Sequence, residues 1–357
     1  MRIGIVLDPY AEGKPSGLGR YILDLSSALI SAGSDHECII YTKGGGAPPP
    51  LPAGNWSHVP LKGGKLWREI GLRRSKKADV YIFGTPMLPL TVRLPKAIVV
   101  AHDFPYKHIA PDSIKQWLLR PVLSVLHTLS LQRADAIVGN TTYSCQEVVN
   151  LFGIPAEKTH VIHNGFRNIC AQSTPERVAA PEPFLLMVGA VKERKNTLRA
   201  IQAFHSLLKK IPHTLVVAGK TGNDYSKEVM EYISTHNLGA RVIFIGHGND
   251  GQLAYLYRSA DALLFPSIIE SFGFPVLEAQ SCGLPVVTSS IGGVAEVAGT
   301  SAVLVDPYSI ESIARGIEEV TNAGKREFLI KQGRENTARF SWESTAEQFL
   351  RLIDSLV

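Results

Sequence analysis

The sequence predicts an α/β protein made of two doubly wound domains, and three observations lead there. A chain of 357 residues is too long for one ordinary core. Short apolar runs bounded by turn residues alternate with helical patterns along its whole length, as in parallel sheets covered by helices. A polar, proline-rich stretch without periodicity, Gln172 to Pro183, separates two such series and reads as an interdomain linker.

In the first series the strand candidates are Ile3 to Leu7, Cys38 to Tyr41, Val80 to Phe83, Ala97 to Ala101, Ala136 to Gly139 and His160 to Ile162. The helix after the first strand places Ile22, Leu25 and Leu29 on one face and stops near Gly33. Gly44 to Gly54 is a Gly/Pro loop too close to the start to divide domains. In the second series the strands are Phe184 to Val188, Thr214 to Ala218, Val242 to Ile245, Ala262 to Phe265, Pro285 to Thr288 and Ala302 to Val305. The end of the chain, with Ala346, Phe349, Leu350 and Ile353, forms an amphipathic helix capped by Ser341 or a neighbour. The expected division is 1–170, 184–339 and a terminal helix over 340–357. Ligands of such sheets bind outside the strand C-terminal ends, so a common cleft is expected there.

Ordinary apolar and charged fractions point to a globular protein. The net charge of +5 is modest and not gathered into a basic tail, which argues against nucleic acid as a partner. Cys38, Cys145, Cys170 and Cys282 lack metal-ligand spacing, and Arg2 to Val6 already reads as a buried strand with no leader before it. A cytoplasmic home follows as the expectation. No apolar run approaches the roughly 20 residues that a membrane-spanning helix needs. Leu66 to Lys77 mixes apolar residues with cations, as interfacial helices do, although a surface helix packed through Trp67 and Ile70 would read the same.

The chemistry concentrates in Glu270-Ser271-Phe272-Gly273-Phe274-Pro275-Val276-Leu277-Glu278, where Ser271, Phe272, Gly273 and Phe274 are candidate substrate contacts. Pro275 suits a first helical turn, so Glu270 falls in the preceding loop and Glu278 about one turn into the helix. Gly273 permits close backbone approach, and free amides near a helix start attract phosphate. Carboxylates for hydroxyls beside amides for phosphate describe a sugar-nucleotide site; a capping acid and a surface acid facing apart would carry the same letters. Gly17 and Gly19 open a helix after the first strand, either as a diphosphate contact or as a plain turn; Ile22 occupies the place of the third glycine of a dinucleotide fingerprint. Arg194 and Lys195 follow a strand and precede a helix, where they suit a leaving diphosphate. As solvated cations they would oppose the helix dipole. His102 and Asp103 end a buried strand, which is equally the position of a satisfied core histidine. Gly246 and His247, and Gly219 and Lys220, follow strands and are candidates for base or phosphate contact.

The glutamate pair with Phe-Gly-Phe-Pro between resembles that of the retaining glycosyltransferases of family 4, which have the two-domain GT-B fold. Ser16-Gly17-Leu18-Gly19-Arg20-Tyr21, His102-Asp103, Asn164-Gly165 and Val188-Gly189 running to Arg194-Lys195-Asn196 match in the family's order. Ala190 stands where many members have an arginine, so Arg194 is taken as its substitute. The resemblance implies a metal-independent, cofactor-free retaining enzyme moving a hexose from GDP-mannose or a UDP-sugar to a glycan or lipid-linked acceptor in surface polysaccharide synthesis. It implies that Glu270 grips the donor sugar, Glu278 the ribose, Lys195 and Arg194 the diphosphate, and that His102 lies near the transferred sugar. It further implies a hinge turn at His163-Asn164-Gly165 and a terminal helix crossing back to the first domain. A peripheral membrane contact through that domain, at the inner face of the membrane, is the accompanying expectation. A sugar-nucleotide epimerase of the same fold and a non-catalytic sugar-nucleotide-binding protein are the alternatives.

Overall fold

A computed structural model describes residues 1–10, 17–33, 35–44, 46–111 and 113–357. Ser16 of the glycine motif and Gly45 of the early loop lie outside the described residues. The chain forms two compact units, Met1–Gly165 together with Ser341–Val357, and Phe166–Phe340.

The first unit is a seven-stranded parallel sheet of β1 (Arg2–Val6), β2 (Glu37–Lys43), β3 (Trp56–Leu61), β4 (Val80–Phe83), β5 (Ala97–Ala101), β6 (Ala136–Gly139) and β7 (Thr159–Val161). Its order is β3-β2-β1-β4-β5-β6-β7, so the winding reverses between β1 and β4. Strand β3 escapes the sequence pattern because it is an edge strand: Trp56 to Val59 are only half-buried and Pro60 faces solvent, so no continuous apolar run marks it. Helices α1 (Gly17–Ser31), α2 (Trp67–Arg74), α3 (Ile114–Arg133) and α4 (Thr142–Phe152) accompany the sheet. Helix α1 buries Ile22, Leu25 and Leu29. Helix α2 buries Trp67 in the core and leaves Ile70 outside. Several cations here are engaged within the unit: Arg68 pairs with Asp8 at 3.1 Å, Arg73 donates to the Thr91 carbonyl, and nearby Lys76 pairs with Glu37, while Arg74 is exposed.

The second unit is a six-stranded parallel sheet of β8 (Phe184–Val188), β9 (Thr214–Ala218), β10 (Val242–Gly246), β11 (Ala262–Phe265), β12 (Val286–Ser289) and β13 (Val303–Val305). The order β10-β9-β8-β11-β12-β13 reverses its winding between β8 and β11. All six coincide with apolar runs of the sequence; the inner strands β9, β8, β11 and β12 are buried nearly throughout, and the helices of the unit are α5 (Ile169–Gln172), α6 (Thr197–Ser206), α7 (Asp224–Thr235), α8 (Asp250–Ser259), α9 (Phe274–Ser281), α10 (Gly293–Ala298), α11 (Ile310–Thr321) and α12 (Ala323–Thr337).

Two expectations change here. The stretch 172–183 is not a free linker: the Glu176 amide donates to the Gly251 carbonyl, Asn249 donates to the Glu176 carboxylate at 2.8 Å, and Thr214 donates to the Pro181 carbonyl. It belongs to the second unit, which begins at Phe166 rather than beyond 170. Cys170 and Cys282, 112 residues apart in sequence, form a disulfide, because α5 packs on α9 and brings their Cα atoms to 5.5 Å. Sequence spacing contains no trace of that pairing, and a disulfide runs against the reducing cytoplasm expected above.

The chain rejoins the first unit through α13 (Trp342–Leu356), capped by Ser341, whose hydroxyl accepts from the Ser344 amide. Thr345, Ala346, Phe349 and Ile353 are buried where α13 packs on α1. Gly165 has no room for a side chain, since a Cβ there would lie 2.3 Å from the Trp342 nitrogen. Phe349 is fully buried. Phe349→Ala should therefore destabilise the protein by about 3–5 kcal/mol in chemical unfolding; a loss below about 1 kcal/mol would mean that α13 rests only loosely on α1.

Candidate active site

In the second unit the winding reverses between β8 and β11, which are hydrogen-bonded neighbours, so the loops after them leave side by side. The first carries Arg194 and Lys195, and the second carries Glu270. Both cations reach that carboxylate: Lys195 Nζ pairs directly with Glu270 Oε2, and Arg194 Nη1 lies 3.5 Å from the same oxygen. Lys195 and Glu270 keep only 14% and 13% of their side-chain exposure. Lys195 Nζ also lies 4.3 Å from the centre of the Phe265 ring, which supports its charge from the apolar side.

Backbone contacts fix this cluster. The Ile268 amide donates to the Arg194 carbonyl and the Gly293 amide to the Glu270 carbonyl. Asn196 is buried at φ 60° and donates to the Pro266 and Pro307 carbonyls, tying together the loops that follow β8, β11 and β13. Asparagine tolerates this left-handed conformation better than most residues. Gly189, at φ 125°, leaves room for the Lys195 stem, whose Cε lies 3.6 Å from where a Cβ would be.

Glu278 sits on the fifth residue of α9, with Pro275 in the first turn as expected. Its carboxylate accepts from the Tyr257 hydroxyl at 2.8 Å. Burial, with the carboxylate beside it, holds the Tyr257 phenol well above its ordinary pKa, so the hydroxyl remains a donor. Gly273, at φ 91°, starts α9, and a Cβ there would lie 2.7 Å from Val294. Conformation and packing therefore both require glycine. Phe272, expected to contact substrate, is buried against Leu277, Val297 and Phe340 instead; it anchors the loop from the core side. Ser271 is likewise buried, and Phe274 is half-buried with its ring 5.1 Å from that of Phe272.

Other expected residues stand apart. A Cβ on Gly219 would lie 1.8 Å from the Gly189 carbonyl oxygen, so this glycine lets two strand exits touch. Lys220 beside it is exposed. Gly246 and His247 are exposed at the end of β10, the outer strand, two strands from β8. Gly17 begins α1 at the surface and Gly19 is buried in its first turn.

In the first unit, the exits of β1, β4 and β5 meet at the other reversal of winding. Asp8, Thr85, His102 and Asp103 line a cavity of about 330 Å³ there, with Arg68 from α2 and His127 from α3. His102 Nε2 is 3.0 Å from the Gly84 carbonyl, which can only accept, so Nε2 carries the proton and Nδ1 is left as an acceptor. Burial pushes the His102 pKa down, outweighing the opposing influence of Asp103. His102 is thus a neutral, oriented imidazole, and the Tyr21 ring meets it edge-on at 4.9 Å. Burial and the Lys107 charge bring His127 down to about 4, so it too is neutral.

Sequence reasoning missed Asn196 as a tie, Tyr257, Arg68 and His127, and the Gly292-Gly293 pair that seats Glu270. Of these, only the glycine pair after a strand offered a signal in the letters.

Residues 15–167 match the family described as Glycosyltransferase Family 4, and residues 171–336 match Glycosyl transferases group 1. The O-antigen chain mannosyltransferase B of Escherichia coli is 27% identical over 280 residues, covering 75% of this chain and 72% of that one. Among solved structures, a sucrose-phosphate synthase from Thermosynechococcus elongatus superposes with a TM-score of 0.78 at 21% identity, covering 99% of this chain and 98% of that one. HepE of Anabaena, solved with UDP and glucose, gives 0.77 at 20%, covering 99% and 100%. With two parallel Rossmann-like sheets and both halves matched in order, this chain belongs to the family 4, group 1 glycosyltransferases of the GT-B fold.

Proposed function

We propose that the protein is a retaining, metal-independent hexosyltransferase that moves a mannosyl group from GDP-mannose to a glycan or lipid-linked acceptor in surface polysaccharide synthesis. The observation that carries this reading is the cluster of Lys195, Arg194 and Glu270 at the reversal point of the second sheet. Lys195 and Arg194 converge there on Glu270, so two cations are held where a diphosphate would depart. The O-antigen mannosyltransferase relative supports the mannosyl donor and the polysaccharide setting. The UDP and glucose bound by HepE support the broader class of nucleotide sugars, with UDP-glucose the donor to test beside GDP-mannose.

The chemistry asks little of the protein beyond position and charge. The bond from the anomeric carbon to the donor phosphate oxygen breaks, the acceptor oxygen forms the new bond on the same face, and its proton passes to the departing phosphate. Lys195 and Arg194 stabilise the charge that grows on that phosphate. Glu270, already oriented by the two cations, accepts from donor-sugar hydroxyls. Glu278, oriented by Tyr257, accepts from the ribose. His102 offers Nδ1 to a sugar hydroxyl and, being neutral, adds no positive charge near an anomeric carbon that is becoming cationic.

Transfer from GDP-mannose in the presence of EDTA, with the anomeric configuration of the product read by NMR, tests the proposal directly. An α-linked mannoside is expected, and no epimer should form from donor alone. A β-linked product, or activity lost to EDTA and restored by manganese, would overturn it.

The two glutamates should separate kinetically. Glu278→Ala should weaken nucleoside diphosphate binding in calorimetry, and Tyr257→Phe should do so to a lesser degree by releasing the carboxylate. Glu270→Ala should chiefly lower kcat, because sugar contacts tighten as charge develops. Equal losses of nucleotide affinity from Glu270→Ala and Glu278→Ala would contradict the assignment.

Lys195→Ala should slow turnover by about 100-fold or more. Since Lys195 and Glu270 touch, the Lys195→Ala/Glu270→Ala double substitution should cost clearly less than the product of the single losses. Strictly multiplicative losses would show that the two act independently, and an equal loss of affinity for nucleoside and nucleoside diphosphate in Lys195→Ala would show that the lysine supports only the fold.

A further inference from the structure

The Gly84 carbonyl holds the His102 imidazole at Nε2, 3.0 Å away. A ring held at one atom can still pivot about that bond, so where Nδ1 points depends on what meets the ring from the side. Tyr21 meets it there. The two ring centroids are 4.9 Å apart with the planes at 84°, the edge-to-face geometry that aromatic pairs favour. Tyr21 is 2% exposed, and its hydroxyl is buried with no hydrogen-bond partner among the described residues. The ring, rather than the hydroxyl, is what Tyr21 offers to His102.

Tyr21 is in turn supported by Trp342, whose ring centroid lies 5.8 Å from its own. Trp342 is the first residue of α13, where the chain rejoins the first unit, and it lies against Gly165, the last residue before the chain leaves that unit. A Cβ on Gly165 would be 2.3 Å from the Trp342 nitrogen and 2.5 Å from the indole Cγ. One turn further on, the Thr345 hydroxyl donates to the His163 carbonyl at 2.8 Å. Trp342 is thus fixed where both crossings of the chain meet, and three rings, from the exit of β5, from α1 and from α13, make one continuous contact that ends at the cavity lined by His102. Aliphatic side chains at 21 and 342 could fill the same space, but they have no ring edge to set the plane of an imidazole.

We propose that Tyr21 and Trp342 are positioning residues that fix the plane of the His102 imidazole and so set where its Nδ1 points. They act through His102, and their effect on turnover rests on the proposed role of His102 toward a sugar hydroxyl; the orientation of the ring can be measured without the reaction. The charged and titratable groups around His102 are Asp103 beside it, Asp8 paired with Arg68, the neutral His127, and the Tyr21 phenol, whose pKa burial raises. Asp103 favours the imidazolium and burial opposes it more strongly. Removing the Tyr21 ring lets water reach the imidazole and relaxes the effect of burial, so His102 should take up its proton at a higher pH than in the wild type. The acid side of the pH–rate profile should move upward with it.

Nitrogen-15 NMR of the full chain labelled at histidine, with the His102 signals identified by their loss in His102→Ala, tests it. In the wild type Nε2 should carry the proton across the neutral range. Tyr21→Leu and Trp342→Leu should blur that preference and move the titration upward, with kcat lower by roughly tenfold or more and the donor KM changed less. Tyr21→Phe and Trp342→Phe keep a ring and should keep the wild-type signals. Leu29→Ala, at a buried position about 12 Å further along α1, should lower thermal stability yet leave the His102 signals in place. Were Tyr21→Leu unfolded, Trp342→Leu, at a half-buried position, would decide. His102 signals that stay in place in the folded leucine variants overturn the proposal. So does Leu29→Ala or Tyr21→Phe moving them as far as Tyr21→Leu does. Full turnover by His102→Ala would instead overturn the sugar-hydroxyl role of His102, while the NMR signals would still decide the positioning.

Discussion

The ion cluster of Glu270 with Lys195 and Arg194 is the constraint on which the rest of the second unit depends. Each of these side chains has lost most of its contact with water, and taking a charge out of water costs several kcal/mol unless a partner stands close. None of them could occupy its place alone. Neighbouring parallel strands solve the problem by delivering residues 75 positions apart to one point. Charged side chains gathered with most of their exposure lost at a reversal of winding are the arrangement in which functional sites are commonly built.

The same constraint explains why the surrounding residues are less free than their exposure suggests. Asn196 holds three loops through its side chain, and the amide of Gly293 holds the carbonyl of Glu270. Phe272 and Phe340 pack below the glutamate loop, 5.6 Å apart. Loops that carry function are usually the mobile parts of a fold. Here the loop is pinned from the core, from two neighbouring loops and by an ion pair, and a donor would meet groups that need little reorganisation.

Much of this was legible in the sequence, for reasons that can be traced to individual residues. Strands with both faces covered are continuous apolar runs, so Phe184 to Val188 or Ala97 to Ala101 could be read directly. Pro275 fixed the start of α9 and hence the depths of Glu270 and Glu278. Trp56 to Leu61 could not be read, because an edge strand with Ser57, His58 and Pro60 breaks the pattern. Phe272 was misread because an aromatic beside a catalytic-looking acid has the same letters whether it faces ligand or core. Partners distant in sequence left no mark: Tyr257 for Glu278, Lys195 for Glu270, Cys170 for Cys282. A charge run likewise gives no sign of whether its cations face water. Around α2, Arg68, Arg73, Lys76 and Lys77 meet carbonyls and acids of the same unit, whereas α3, with fewer cations and no acid, leaves many of its apolar side chains exposed.

Glycines set how closely the strand exits can approach, and this is the last link between sequence and chemistry. A methyl group on Gly219 would overlap the Gly189 carbonyl, so any side chain there must push apart the ends of β8 and β9. Lys195 follows the displaced strand by only a few residues, and a shift of about 1 Å in a reacting group can cost on the order of 100-fold in rate. Gly219 therefore bears on the site through the spacing of the two strand ends. Gly273, on the loop after β11, and Gly292, on the loop after β12, do the same, each at a positive φ and each with a neighbour close to where its side chain would begin. The glycine-rich strand exits that resemble ligand-contacting motifs in the sequence are, in the folded chain, what allows the charged residues beside them to converge.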